Sequence, residues 1–173
     1  MKKYQMIFLP IFIFGTILFC QEVMHVSPPD KPQKKPEPTY TVELGIDSII
    51  KNKDGSYQVA VYMLNEEPVA GYQMDFLPEN IFTPITMRDG ISGELGYMMQ
   101  ASKTGKVIGF SMQGIAIPVA STDKQSDNIL YYLDVEFNGE KGEKVSISFD
   151  TVIAGVKGAK LEPVVIPFEF ILP

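Results

Sequence analysis

The feature that most constrains how this chain can fold is an alternation of polar and apolar residues that recurs, between turn signals, from residue 40 onwards. Alternation places successive side chains on opposite faces of an extended strand, and it is typical of a strand that buries one face. Tyr57, Val59, Val61 and Met63, for example, share one face of such a strand. Because no stretch of this region has convincing helical periodicity, the sequence predicts an all-β fold.

About nine strands are predicted, at residues 41–46, 57–63, 69–76, 81–87, 93–100, 106–112, 129–138, 145–149 and within 164–172. Turn signals separate them at roughly the 8–12-residue spacing that is typical of sandwiches and barrels. One-sided alternation favours antiparallel pairing. In the clearest strands the in-phase apolar residues are Val42, Leu44 and Ile46; Tyr72, Met74 and Phe76; Ile108, Phe110 and Met112; and Tyr131, Leu133, Val135 and Phe137. The sequence therefore predicts an antiparallel β-sandwich.

The N-terminal region has the pattern of an export signal. Lys2 and Lys3 give it a positive start, and residues 6–19 are almost wholly apolar. This apolar run is too short to cross a bilayer as a helix, which takes roughly 20 residues. It does suit the apolar part of a secretory signal peptide. We therefore expect residues 1–20 to direct the chain out of the cell.

Cys20 ends the apolar run and is the only cysteine, so the chain has no intramolecular disulfide. Its position makes it a candidate for lipid attachment, which would anchor the protein to a membrane. The alternative is ordinary cleavage after Cys20, with Gln21 as the new N-terminus. The bulky Phe19 favours cleavage, because lipoprotein signals usually have a small residue at that place.

Residues 21–39 have the composition of a spacer. Five prolines are interleaved with three lysines, namely Pro28, Pro29, Pro32, Pro36 and Pro38 with Lys31, Lys34 and Lys35. Proline fixes φ and lacks an amide donor, so such a stretch favours extended, polyproline-like conformations. We expect residues 21–39 to form a semi-rigid linker and residues 40–173 to form one folded domain.

The charge of the chain argues against nucleic acid as a partner. The formal net charge is −6. Without Lys2 and Lys3, which lie in the predicted signal, 13 basic residues face 21 acidic ones, a net charge of −8. Such a surface has no basic patch to neutralise a phosphate backbone and is repelled by anionic lipids. Contact with a membrane is then expected only through the signal or a lipid anchor.

Three segments, in their order and spacing, resemble strands of cohesin domains. They are 69–76, 106–111 followed by Gly114 and Pro118, and 128–137. The resemblance covers nearly all of residues 40–173. It implies a nine-stranded jelly-roll sandwich whose function is non-catalytic protein binding, because cohesins hold dockerin modules carried by other secreted proteins. A dockerin-like module of another exported protein is therefore the expected partner, and no cofactor is expected.

The resemblance also implies where this partner binds. Cohesins use polar residues on one exposed sheet face, including the early strand. Gln73, Asp75 and Ser111 are the candidate contacts in this sequence. Gly71 and Gln73 occupy positions where some cohesins carry Asn and Asp, and Gly71 has no side chain to offer.

Catalytic and metal sites find little support in the residues. His25, the only histidine, lies in the predicted linker, which leaves no base for a nucleophile in the folded domain and no His or Cys set for zinc. The carboxylate pairs that a glycosidase would need are Glu66 with Glu67 and Asp134 with Glu136, and both fit ordinary turn or solvent-facing positions. The loop 121–128 offers oxygen ligands for calcium but lacks regular ligand spacing.

Carbohydrate binding is the rival binding function, because carbohydrate-binding modules share sandwich folds. Such sites stack sugar rings on exposed aromatic residues, usually Trp, and this chain has no Trp. Tyr62, Tyr97 and Tyr132 lie outside the apolar phase of their strands and are the candidates for such stacking. A tyrosine on a strand face more often packs across strands. A structural or adhesion module of the cell envelope is a third possibility.

Overall fold

The computed structural model describes residues 42–173, which form eleven strands and one short helix, α1, at Gly90–Glu94. The strands are β1 (Val42–Lys51), β2 (Tyr57–Asn65), β3 (Val69–Leu77), β4 (Phe82–Arg88), β5 (Met98–Ala101), β6 (Lys106–Phe110), β7 (Ile129–Phe137), β8 (Lys144–Gly155), β9 (Lys160–Leu161), β10 (Pro163–Ile166) and β11 (Phe168–Ile171). Two 3-10 turns lie at Gln125–Asp127 and Val156–Gly158. The predicted signal, Cys20 and the predicted linker lie outside the described residues.

The strands form two sheets. The first sheet has the order β10-β1-β2-β7-β4, and the second has the order β11-β8-β3-β6-β5, with β9 paired to β8. Every pairing is antiparallel except that of β1 with β10, which is parallel. The predicted all-β sandwich is therefore confirmed.

The core fills the space between the sheets and follows the alternation in the sequence. The in-phase residues of β1, β2, β3 and β7 all pack into one cluster, namely Val42, Leu44 and Ile46; Tyr57, Val59, Val61 and Met63; Tyr72, Met74 and Phe76; and Tyr131, Leu133, Val135 and Phe137. Burying such side chains provides the main free energy that holds the two sheets together.

The predicted strand 145–149 is longer in the structure, where β8 runs over Lys144–Gly155. Three further details differ from the sequence prediction. The segment 93–100 is not one strand, because Gly90–Glu94 forms a helical turn and only Met98–Ala101 pairs with β6. The last predicted strand is two, β10 and β11, which join different sheets. Since β10 adds to β1 in parallel, the sandwich is not purely antiparallel. These segments are short, and their pairing depends on partners that are distant in the sequence.

Aromatic side chains occupy both ends of the core. Near the end of β3, the ring of Phe76 meets Phe82 and Phe149 edge to face, with both centroids 4.7 Å away. Near its start, Tyr72 lies in a stack between Tyr97, at 6.4 Å, and Tyr131, at 5.8 Å. Edge-to-face and offset stacked rings add to the free energy of burial.

The hydroxyl groups of the tyrosine stack differ in their partners. The Tyr72 hydroxyl pairs with Ser92 Oγ of α1 at 2.9 Å, and the Tyr97 hydroxyl lies 2.9 Å from the carbonyl oxygens of both Val69 and Ile115. Among residues 42–173, the Tyr131 hydroxyl has the Met74 sulfur as its one hydrogen-bond partner, at 3.3 Å. Burial raises the pKa of Tyr72 and raises the pKa of Tyr131 well above its ordinary value.

These pKa shifts predict a loss of stability in alkaline solution. An unfolded tyrosine ionises near pH 10, whereas Tyr72 and Tyr131 stay neutral to higher pH in the folded state. The contribution of these two neutral tyrosines to the free energy of unfolding is therefore complete below pH 10, and it is lost as the pH rises from 10 through the pKa of the folded state. We expect each to lower the free energy of unfolding by about 1.4 kcal/mol per pH unit above pH 10.

The Tyr131→Phe variant tests this expectation. It should cost little stability at pH 7, because the lost hydroxyl has only a weak sulfur acceptor. Above pH 10, the free energy of unfolding of the variant should fall less steeply with pH, by about 1.4 kcal/mol per pH unit, because one ionising tyrosine is gone. Urea unfolding followed by circular dichroism at pH 7 and at several values above pH 10 measures both quantities. An unchanged slope would contradict the assignment.

Among residues 42–173, no helix is long and apolar enough to cross a membrane.

Candidate functional site

The outer face of the second sheet has exposed apolar side chains on neighbouring strands. Strand register aligns its outward side chains in three rows across β8, β3, β6 and β5. We call this surface the docking face; its rows are Ala154, Gly71, Phe110 and Met98; Val152, Gln73, Ile108 and Gln100; and Asp150, Asp75 and Lys106. Because the side chains belong to paired strands, their spacing is set by the backbone.

The first two rows are largely apolar. The side chains of Met98, Val152 and Phe110 are 55%, 54% and 41% exposed, and Ile108 is half-buried between two glutamines. Single exposed apolar residues are normal, but neighbouring ones on one sheet face mark a surface that can bury area against a partner. These two rows can therefore bind apolar side chains.

The third row is charged. Lys106 Nζ lies 2.6 Å from Asp75 Oδ2, and Gln73 Nε2 donates to the same oxygen at 3.4 Å. Asp150 pairs in register with Asp75, so two carboxylates lie on adjacent strands. The ion pair is exposed, and such pairs contribute little to stability. The row therefore orients polar groups without adding much to the free energy of folding.

Gly71 leaves a gap in the first row. It lies in register between Ala154 and Phe110. A Cβ atom there would come within 3.2 Å of the Gly109 carbonyl oxygen, which is closer than ordinary contact. The missing side chain avoids this close contact between β3 and β6.

The fold is similar to that of solved cohesins. The crystal structure of a CaDoc0917–CaCohA2 complex contains a chain that matches with a TM-score of 0.55 and 17% identity, over 77% of this chain and 100% of that one. A non-cellulosomal cohesin from the archaeon Archaeoglobus fulgidus matches with a TM-score of 0.54 and 13% identity, over 77% and 91%. A chain of a type I cohesin–dockerin complex of Clostridium thermocellum, Coh-OlpA with Doc918, matches with a TM-score of 0.53 and 15% identity, over 77% of this chain and 99% of that one.

The described domain has the cohesin fold. No family model matches the sequence, and no curated protein is significantly similar to it. At these identities the likeness concerns the fold, so the function has to be argued from the surface of this chain.

Two of the three predicted contacts lie together on the docking face of this cohesin-fold domain. Gln73 and Asp75 project outward from β3 and touch each other. Ser111 follows the last residue of β6, and its Oγ accepts the backbone N–H groups of Gln113 and Ile115 at 3.2 and 3.1 Å. Ser111 therefore shapes the loop beyond the strand, next to the face that Gln73 and Asp75 belong to. Partner binding by the three residues stays a prediction.

Sequence reasoning missed the apolar members of the docking face. Ile108 and Phe110 are in phase, but they face outward, and Val107 and Gly109 face the core. Gly109, in the opposite phase, was the sequence signal that this side of β6 faces the core. The missing side chain of Gly109 leaves the room that the buried ring of Tyr72 occupies. Val152 and Met98 join them only through strand pairing.

The tyrosines considered for sugar stacking are mostly buried. Tyr62 packs beneath the 3-10 turn, whose Gln125 Nε2 donates to its hydroxyl at 2.9 Å. Tyr97 stacks on Tyr72 in the core. The interpretation of Tyr62 and Tyr97 as exposed residues is wrong, because the turn Gln125–Asp127 covers Tyr62 and the ring of Tyr97 packs into the core. Of the three tyrosines, Tyr132 alone is half-exposed.

Among the groups considered for chemistry, Asp134 and Asn128 make structural contacts. Asp134 lies 3.3 Å from Arg88 Nε and accepts from Asn52 Nδ2 at 3.3 Å. In the loop 121–128, the Asn128 side chain donates to the Thr122 and Lys124 carbonyl oxygens. Within residues 42–173, no three or more His, Cys, Asp or Glu side chains are grouped to hold a metal ion.

Proposed function

We propose that this cohesin-fold domain is a non-catalytic docking module that binds a dockerin-like module of another exported protein through the docking face. The observation that carries the proposal is the exposed pair of largely apolar rows beside a charged row on one sheet face. Stable protein interfaces combine an apolar centre with a polar rim in this way. Solved cohesins of the same fold occur in complexes with dockerins, which supports the choice of partner.

The mechanism is docking on a preformed surface. Both central strands of the docking face, β3 and β6, are paired on each side, so their backbone has little freedom to lose on binding. A partner then loses entropy mainly from its own side chains, and neither chain needs a large rearrangement. Apolar contacts to Ile108, Phe110 and Val152 would supply most of the affinity, while Gln73 and Asp75 would select the orientation.

The same proposal includes export and attachment. Residues 1–20 would direct secretion, residues 21–39 would hold the domain away from the cell surface, and residues 40–173 would bind. Mass spectrometry of the protein from its source cells distinguishes the two fates of Cys20. A diacylglyceryl group on Cys20 indicates membrane attachment, and a free Gln21 indicates release by ordinary cleavage.

A capture experiment tests the function. The protein is immobilised and exposed to purified dockerin modules and to the secreted proteins of its source organism, with a polysaccharide-binding assay beside it. We expect selective retention of dockerin-bearing proteins. Replacing Gln73 with Arg and Asp75 with Tyr should lower this capture at least about tenfold, because bulky side chains prevent close approach. The free energy of unfolding should change by no more than about 0.5 kcal/mol.

Gln58→Arg is the matched control. Gln58 is a half-exposed glutamine on the outer face of the central strand of the first sheet, as Gln73 is on the second. Capture should be unaffected by it. Equal loss in both variants, or unchanged capture in the Gln73 and Asp75 variant, would reject the docking face. Retention on polysaccharide without any protein partner would instead favour carbohydrate binding.

A further inference from the structure

The methionines of the described domain differ widely in exposure. Four of the six in residues 42–173 are buried in the core or half-buried against it, namely Met63, Met74, Met87 and Met99. The other two are open to solvent, with Met98 55% exposed and Met112 74% exposed. Because an oxidant in solution has to reach the sulfur atom, the exposed pair is the pair that can be modified in the folded protein.

Met98 belongs to the first row of the docking face. It lies on β5, the edge strand of the second sheet, in register with Phe110 of β6. The other two positions of this row are Gly71, which has no side chain, and Ala154, which has a single methyl group. Met98 and Phe110 are therefore the two large apolar side chains that the first row offers to a partner.

The next residue in the sequence is also a methionine, and it faces the other way. Successive side chains of a strand point to opposite faces of the sheet. Met99 is in register with Gly109, whose side of β6 faces the core, and it packs against the core cluster. The pair Met98 and Met99 thus combines one exposed sulfur atom with one that the core partly shields.

Oxidation changes the chemistry of the first row. The sulfur of a methionine attacks one oxygen of hydrogen peroxide, the O–O bond breaks, and the products are methionine sulfoxide and water. The sulfur loses two electrons, which reduce the peroxide. The side chain keeps its length but gains a polar oxygen that accepts hydrogen bonds. Since Gly71, Phe110 and Ala154 have no side-chain donor, this oxygen would be buried against an apolar row when a partner docks, which costs free energy.

We propose that Met98 is an oxidation site through which a peroxide lowers the affinity of the docking face for its partner. The inference rests on the proposed function of that face. Oxidation of Met98 leaves the fold intact, because the side chain lies outside the core, and it weakens docking, because the new oxygen has to lose its water. Methionine sulfoxide reductases return the sulfoxide to methionine, so the loss of affinity is reversible.

Peptide mapping by mass spectrometry tests the site itself. The full chain is exposed to hydrogen peroxide, and fragment ions distinguish Met98 from Met99. We expect Met98 and Met112 to be oxidised at least about tenfold faster than the buried Met63 and Met74, and Met98 to be oxidised faster than Met99. The circular dichroism spectrum should be unchanged when Met98 is fully converted. Equal rates for Met98 and Met99 would overturn the proposal.

Capture of purified dockerin modules before and after oxidation tests the consequence. The peroxide is removed with catalase before a dockerin module is added, so only the immobilised chain is oxidised. We expect full conversion of Met98 to weaken capture at least about fivefold, and methionine sulfoxide reductases with dithiothreitol as the reductant to restore it.

Two leucine variants assign the effect to one sulfur atom. In Met98→Leu, the affinities before and after peroxide should agree within about twofold, because leucine has no sulfur to oxidise. Met112→Leu is the matched control, since it removes the other exposed methionine, and it should lose capture on oxidation as the natural sequence does. Both variants keep the methionines before residue 42, so oxidation there cannot cause a difference between them.

The outcomes separate this inference from the proposed function. Full capture after complete conversion of Met98, or an equal loss in the Met98→Leu variant, overturns the inference and leaves the docking face in place. A loss that the reductases do not reverse also counts against Met98. If the unoxidised protein retains no dockerin module and no secreted protein, the proposed function is rejected, and the effect of oxidation on binding is rejected with it.

Discussion

Replacing Phe76 with alanine is expected to lower the free energy of unfolding by about 3–5 kcal/mol. The Phe76 ring is buried in the core, where it makes edge-to-face contacts with the rings of Phe82 and Phe149. Its removal leaves a cavity that the paired strands around it cannot close, because their backbones are held by the ladders on both sides. Urea unfolding followed by circular dichroism measures the change.

Phe110→Ala is the matched control for this prediction. The same side chain is removed from the neighbouring strand of the same sheet, but it points outward and is already 41% exposed. We expect a loss of stability below about 1 kcal/mol together with weaker capture of a partner, because Phe110 belongs to the docking face. Equal destabilisation by the two variants would contradict the assignment of the faces of β3 and β6.

Gly109→Ala is expected to cost about 1–3 kcal/mol, although it adds only one methyl group. The new Cβ would overlap the ring of Tyr72. That ring has no room to retreat, because Tyr97 and Tyr131 stack on its two sides and its hydroxyl pairs with Ser92. Overpacking of this kind forces side chains from their rotamers or moves the backbone.

A double variant separates overpacking from other causes. Combining Gly109→Ala with Tyr72→Leu removes the ring that the methyl group strikes. The double variant should therefore lose less stability than the sum of the losses of the two single variants. Gly93→Ala serves as the control, since a Cβ there meets only the end of the Met99 side chain, at 3.7 Å. It should be neutral or slightly stabilising, as alanine favours helix over glycine. Additive losses would show that the ring of Tyr72 is not the cause.

Alternation predicted the fold because it reports a property of one strand at a time. Parity decides which sheet face a side chain of β1, β2, β3 or β7 takes, and the in-phase apolar residues of these strands all reached the core. The outward placement of Gln73 and Asp75 follows from the same parity, since Tyr72, Met74 and Phe76 take the other face. These results needed no knowledge of which strands are neighbours.

The prediction failed where burial depends on what covers a strand. Tyr62 is on the outer parity of β2, yet the turn Gln125–Asp127 lies over it and buries it. Segment 93–100 contains two glycines and no long alternation, so its division into α1 and β5 followed from packing against β7 and pairing with β6.

The sequence by itself determined the all-β fold class, the inward residues of the long strands and the outward position of Gln73 and Asp75. Only the tertiary structure decided which outward residues meet, because strand neighbours are set by contacts between distant parts of the chain. It placed Val152, Ile108 and Met98 on one docking face. The physical reason is that parity is local, whereas the register between strands and the cover over them are collective results of packing.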